Sequence, residues 1–191
     1  GDRGDRGGEK AVGDRRKTHR KTLCVWTPWF RTEMEAREQP EWAELPRVIY
    51  RPTSQKRELV EVSPGAAAAG LAAGMSFKEA QMRCPPAVFI PDDAAKYAEA
   101  FARVLDVLDR FSPVVEDAGP GMAFMDATGL EPLYGPDADL ARRVQAAVQE
   151  ATGYVGRVGL AEGGFAAEIA ARTAGDDGVA VAMGADAEYL A

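Results

Sequence analysis

The sequence predicts an α+β fold, a mixed or antiparallel sheet with helices on one face. Three observations lead there. Short apolar runs alternate with helical stretches in the order β-α-β-β-α-α-β-α-β-β-α-β-α-β, which mixes hairpins with crossovers. Two of the runs, Pro113–Asp117 and Met122–Asp126, are joined by Ala118-Gly119-Pro120-Gly121, a hairpin turn in form. Finally, two long segments repeat apolar residues at helical spacing and so present one face to a core.

The elements follow from local chemistry. Leu23–Trp26 is an apolar run of buried-strand character, and Trp29–Arg37 after Pro28 has helical propensity. Pro40–Pro46 is a loop, followed by strand-like runs Arg47–Tyr50 and Arg57–Val62 around the turn-prone Arg51-Pro52-Thr53-Ser54. An Ala-rich stretch, Gly65–Ala73, and a break at Gly74 precede a helix opened by Ser76, with Glu79 at the capping-box position. Pro85-Pro86 ends that helix, because the ring removes a donor and turns its predecessor away from helix. Ala87–Ile90 is a short strand. Asp93–Phe111 is the strongest helix, with Tyr97, Phe101, Val104, Leu105, Leu108 and Phe111 forming one apolar stripe. A second, Asp137–Thr152, carries Leu140, Val144, Ala147, Val148 and Ala151 on one face. Tyr154–Leu160 is a strand, Gly164–Thr173 a helix, Val179–Met183 a strand, and Asp186 begins a last helix.

Composition excludes several classes of function. A chain of 191 residues with 46% hydrophobic and 28% charged residues is globular, and no run approaches the ~20 apolar residues of a membrane span. The first 22 residues lack the apolar stretch of a signal peptide, and Cys24 and Cys84 form no metal-type pair, so a reduced, cytoplasmic setting is expected. The single histidine, His19, lies in a polar tail, which removes histidine-based triads and metal sites from the body. Residues 1–22 carry eight basic against four acidic side chains, a net +4 that leaves −11 on residues 23–191. The tail is expected to be disordered. Its Arg15–Lys21 cluster suits a phosphate contact or, more simply, a solvated start. The acidic body repels nucleic acid on average, so DNA binding here is expected to be weak and local.

Individual motifs have structural readings. No G-x-x-x-x-G-K-[ST] loop is present, and Gly153, Gly156 and Gly159 do not spell G-x-G-x-x-G. Asp92-Asp93 stands where carboxylates cap a helix, and Asp126 at a strand end suits a bond to a nearby amide. Cys84 is expected to be a small buried apolar group, and Trp26 and Trp29 to pack at the core or its edge, with base stacking as the other use.

The order of the segments resembles the palm-and-fingers region of Y-family, UmuC-type DNA polymerases. Gly70-Leu71-Ala72-Ala73-Gly74-Met75-Ser76-Phe77-Lys78-Glu79-Ala80 is similar to the fingers segment. Phe111-Ser112-Pro113-Val114-Val115-Glu116, leading into Ala123-Phe124-Met125-Asp126-Ala127-Thr128-Gly129, resembles the catalytic hairpin. Arg157-Val158-Gly159-Leu160 with Phe165-Ala166-Ala167-Glu168-Ile169-Ala170-Ala171 resembles a strand-helix element near the triphosphate. The resemblance implies a palm over 23–191, a small helical fingers subdomain near 30–84, and no thumb or little-finger domain. It also requires Gly121–Met122 to lie beside Val25–Thr27 on adjacent strands.

The same resemblance implies an expectation about activity. The family's metal-binding carboxylates fall on Val25, Thr27, Gly121 and Met122, and its triphosphate-contacting Tyr, Arg and Lys on Pro64, Ala67 and Gly164. Nucleotidyl transfer uses Mg²⁺ held by hard oxygen ligands. The pattern therefore resembles the ImuB-like proteins, with no catalytic, cofactor-binding or metal residue of the family type, lost nucleotidyltransferase activity, and an accessory role in translesion synthesis and SOS mutagenesis. The partners implied are a sliding clamp and an error-prone replicative-type polymerase. The competing readings are a divergent nucleotidyltransferase using Glu116, Asp117, Glu33 or Glu35, and a stand-alone interaction domain.

Overall fold

The structure is a computed structural model that describes residues 20–182. The tail cluster up to His19 and the helix expected from Asp186 lie outside the described residues. The main sheet has five strands, β1 (Lys21–Trp26), β5 (Val115–Asp117), β6 (Met122–Asp126), β7 (Arg157–Glu162) and β8 (Val179–Ala182), in the order β5-β6-β1-β7-β8. β1 is central and antiparallel to both neighbours, while β8 runs parallel to β7. A smaller sheet in the order β3-β2-β4 is made by β2 (Arg47–Tyr50), β3 (Leu59–Val62) and β4 (Val88–Pro91). The helices are α1 (Phe30–Glu38), α2 (Pro64–Ala68), α3 (Phe77–Arg83), α4 (Ala94–Asp109), α5 (Glu131–Tyr134), α6 (Asp137–Thr152) and α7 (Gly164–Thr173).

Side-chain alternation along β1 assigns its two faces. Leu23 and Val25 are fully buried in one core with Tyr97, Phe101 and Val104 of α4 and Leu140 and Val144 of α6. Cys24 points the other way, into a small cluster with Ala167 and Ala171 of α7. The α+β palm expected from the sequence is present, with α4 and α6 covering one face. To that expectation the structure adds α7 on the opposite face. It can lie there because Gly159, paired with Cys24, has no side chain to hold it off.

The expected caps form. Ser76 Oγ accepts from the Glu79 amide, Asp93 Oδ1 from the Lys96 amide, and Asp126 Oδ1 from the Thr128 amide. β1 begins at Lys21, two residues before the expected strand, because Lys21 pairs with Glu162 and Thr22 with Ala161 and Asp126, and the Lys21 amide and Nζ are held by Thr128 Oγ1 and Asp137. The smaller sheet has its own core of Val48, Leu59, Ala66, Leu71, Ala80 and Cys84, so it extends past residue 84 to take in β4.

Cys24 makes the seating of α7 measurable. Burial, and then the Glu168 carboxylate, push its thiol up from 9.0 to about 12, against the opposing pull of Arg172. Iodoacetamide at pH 8 is expected to leave Cys24 unmodified in the native chain and to alkylate it after denaturation, as read by peptide mass mapping. The folded thiol holds its proton more tightly than the unfolded one. Its contribution to stability is therefore complete below pH 9 and is lost as pH rises from about 9 toward 12. Rapid native alkylation would show that α7 does not cover this face.

Candidate functional site

A cleft opens where the end of β1, the β5–β6 turn, the start of α1 and β3 meet. Trp26 pairs with Met122 and Val25 with Ala123, and the Thr27 amide donates to the Gly121 carbonyl at 2.8 Å. Gly121–Met122 thus lies beside Val25–Thr27, as the resemblance requires. The turn needs glycine at 121, where φ is +105° and a Cβ would come within 3.3 Å of the Thr27 carbonyl.

The next residues turn the chain sharply into α1. Trp29 takes the left-handed conformation, φ 58° and ψ 32°, at the N-cap, where its indole supplies no capping bond. Such a backbone is uncommon for a bulky residue, and Trp29 is 45% exposed at the mouth of the cleft. The cap comes from another strand. Glu61 of β3 accepts from the Thr32 amide at 2.6 Å, and from the Arg31 amide at 3.3 Å and Arg31 Nη1 at 3.4 Å. Across the cleft, the Arg172 guanidinium of α7 stacks 4.7 Å from the Trp26 ring centre. The cleft has a volume of about 540 Å³ and is lined by Trp26, Thr27, Trp29, Arg31, Glu61 and Arg172 among others. A hollow of about 380 Å³ shares Trp26, Trp29 and Arg172 with it. Trp26, then, packs at the edge of the core beneath α7, as expected, while Trp29 stands exposed at the cleft wall.

Two side-chain polar atoms of residues that line this cleft are buried and unpaired. Thr27 is 97% buried, and its Oγ1, like Arg31 Nε, has no hydrogen-bond partner among the described residues.

The residues at the family's metal positions do not fit Mg²⁺. Val25 is an aliphatic group in the core, Gly121 has no side chain, Met122 offers a thioether, and Thr27 one hydroxyl. Among the described residues no three His, Cys, Asp or Glu side chains converge on a point that could hold a metal. Nor does the structure bring the four alternative acids together. Asp117 Oδ1 accepts from the Gly119 amide within its own turn, and Glu116 lines a separate hollow with Arg20 and Asp126. Glu33 lies 3.7 Å from Arg47. Glu35 is buried between α1 and α4, where it accepts from Tyr97 Oη at 2.8 Å and Lys96 Nζ at 3.0 Å. Burial first, and then the bond to Glu35, hold the Tyr97 phenol well above its ordinary range. Pro64 and Gly164 serve as the first residues of α2 and α7, and Ala67 continues α2.

Glu61, Arg31 and Arg172 were not legible as a group. The one signal was a carboxylate in the apolar run Leu59-Val60-Glu61-Val62, and only the smaller sheet brings it against α1.

The fold is that of solved Y-family DNA polymerases. A Y-family DNA polymerase chimera and DinB from Sulfolobus solfataricus each superpose on 89% of this chain with a TM-score of 0.78 and 21% identity. The chain belongs to the impB/mucB/samB family, whose model matches residues 25–172. Relatives include proteins named DNA polymerase IV from Dehalococcoides mccartyi, 28% identical over 90% of this chain and 44% of the relative, and from Caulobacter vibrioides, 34% identical over 74% and 35%. The chain spans less than half the length of these relatives and about half that of the solved structures.

These relatives correct one expectation. Lost nucleotidyltransferase activity was inferred from a handful of substituted positions, whereas the proteins that share the sequence and fold are named as DNA polymerases. The inference failed in physical terms because side chains absent from the family's places establish only that the family's own ligands are missing there. They do not establish what the whole protein does.

Proposed function

We propose that this chain works in translesion DNA synthesis as a palm-and-fingers unit, and that the cleft at the end of β1 is where it meets DNA. The observation that carries the proposal is the cleft itself. Two indoles and two guanidiniums gather on the wall formed by β1, α1 and α7, beside Thr27 and Gly121–Met122, where the resemblance sets the family's metal ligands. Guanidiniums meet backbone phosphates, and exposed indoles stack on unpaired bases. The body is acidic, so attraction to a polyanion here depends on local groups, and Arg31 and Arg172 are each shared with one carboxylate, Glu61 and Glu168. In this reading residues 23–46 and 92–182 form the palm, and the smaller sheet with α2 and α3 forms the fingers. The resemblance to ImuB-like proteins supports an accessory role beside a sliding clamp and an error-prone replicative-type polymerase, in the cytoplasm. No helix of the described residues is long and apolar enough to cross a membrane.

The test is fluorescence anisotropy of a labelled primer–template with the full chain. Binding is expected in the micromolar range and to weaken steeply with salt, as for roughly 10⁻⁴–10⁻⁶ M contacts to phosphates. Trp29→Ala with Arg172→Glu is expected to weaken it at least tenfold. Binding that ignores both changes, and instead follows neutralisation of Arg15–Lys21, would move the DNA contact to the tail and overturn the assignment. Primer extension with Mg²⁺ on the same samples reads whether synthesis is carried out by this chain.

A further inference from the structure

Helix α7 covers only part of its face of the main sheet. Its alanines pack on β1 and β7, whereas β5 and β6 carry Val114, Glu116 and Phe124 on that same face with no helix of the described residues seated over them. The opening is two strands wide, about 10 Å at the usual strand spacing. That is the room one helix takes beside another, since packed helix axes lie roughly 8–10 Å apart. A hollow of about 170 Å³ forms its floor, lined by Val114, Glu116, Phe124, Asp126 and Arg20 among others. The Phe124 ring reaches the start of α7, where a Cβ on Gly164 would stand 3.8 Å from it. A cavity of roughly 150 Å³ holds a benzene, so this hollow takes one side chain of leucine or phenylalanine size. Val114 on the β5 side is 58% exposed, and Phe165 on α7 is 80% exposed. Phe165 shares a helix face with Glu168 and Arg172, and Arg172 lies over Trp26 at the cleft, so that face looks toward β6. An apolar hole between exposed hydrophobic walls is the form that receives the anchor side chain of a partner.

Charge selects the occupant. Glu116 and Asp117 are exposed on the β5 edge, and Asp126 adds a third carboxylate. No salt bridge among the described residues involves any of the three, and Arg20 is the one cation lining the hollow. A polyanion is repelled at this end of the face, while a cationic segment is drawn to it. We propose that the β5–β6 half of this face seats one basic, amphipathic helix of a partner protein. Its apolar stripe lies over Phe124 between Val114 and Phe165, one large side chain fills the hollow, and its lysines or arginines face Glu116 and Asp117. The seat is distinct from the cleft assigned to DNA. The cleft lies at the Trp26–Met122 end of β1 and β6 and the hollow at the Phe124–Asp126 end, so each assignment can fail without the other.

The probe is a labelled synthetic helix of leucine and lysine, about four turns long, titrated into the full chain and read by anisotropy. Its twin with glutamate for every lysine is the control. The lysine peptide is expected to bind at least tenfold more tightly than its twin, and Val114→Ser with Phe165→Ser to weaken it at least tenfold, as for loss of anchor contacts. Both side chains are exposed, so the double variant is expected to keep the circular dichroism of the natural chain. In NMR spectra the bound peptide must shift the amides of Val114, Glu116 and Phe124. Equal binding of the two peptides, binding indifferent to the double variant, or shifts confined to Trp26 and Trp29 would each overturn the proposal. So would a natural chain that sediments as a dimer and becomes monomeric in the double variant, because a second copy would then cover this face.

Discussion

Gly159→Ala is expected to be the most damaging single-methyl change in this chain. A Cβ at 159 would fall 2.2 Å from the Ala167 carbonyl oxygen, 2.3 Å from the Ala171 amide nitrogen and 2.9 Å from the Ala170 carbonyl carbon. All three are backbone atoms of α7, so no side chain can swing aside, and the whole helix must lift off β7 and β1. Overpacking a core costs roughly 1–3 kcal/mol when side chains can adjust. Here the adjustment is a helix translation that also uncovers Cys24 and Ala161, so a loss of more than about 3 kcal/mol is expected, in the range reserved for named core defects. Urea denaturation followed by circular dichroism measures it. Gly175→Ala, where an added Cβ meets nothing within 4 Å, is the matched control and should stay within about 0.5 kcal/mol. Lifting α7 also withdraws Arg172 from Trp26, so a Gly159→Ala chain that remains folded is expected to lose the cleft's cationic wall as well.

Arg47→Met should come second. Arg47 is 5% exposed, and its guanidinium donates from Nε to the Thr32 carbonyl and from Nη1 to the carbonyls of Trp42, Ala43 and Leu45. Those carbonyls belong to α1 and to the turn that follows it, so a single cation ties the chain around the entry to β2. Methionine fills a similar volume but offers no donor, leaving the carbonyls without their shared partner. Removing one side of such a buried, charge-assisted network costs about 3–5 kcal/mol, much of it desolvation of groups left unpaired. The nearby Glu33 carboxylate, 43% exposed and 3.7 Å away, contributes little, because an exposed acid is screened by water. The expected result is a clear fall in the urea midpoint for Arg47→Met and none for Arg51→Met, whose residue is exposed.

Much of the architecture was legible because it rests on local periodicity. Asp137–Thr152 and Gly164–Thr173 were bounded to the residue by a 3.6-residue apolar repeat and by the glycines beside them. The β5–β6 hairpin followed from Gly119-Pro120-Gly121 between two apolar runs. The strand expected from Tyr154 begins three residues later, at Arg157, because Tyr154 packs its ring on Phe30 instead of joining the sheet. Of the cleft, Trp26, Thr27, Trp29, Gly121 and Met122 are legible in the sequence. Glu61 and Arg172 lie far apart in sequence and mean nothing until β3 and α7 are placed.

What the sequence determined by itself is the list of elements, their order and the apolar faces they must bury, since these depend on neighbours a few residues away. The tertiary structure alone decided that α7 sits on the far face of the sheet and that a carboxylate from the smaller sheet fills the start of α1. Both outcomes depend on contacts between distant residues: a glycine that lets two backbones approach, and orphan amides that take whichever acceptor the fold brings to them.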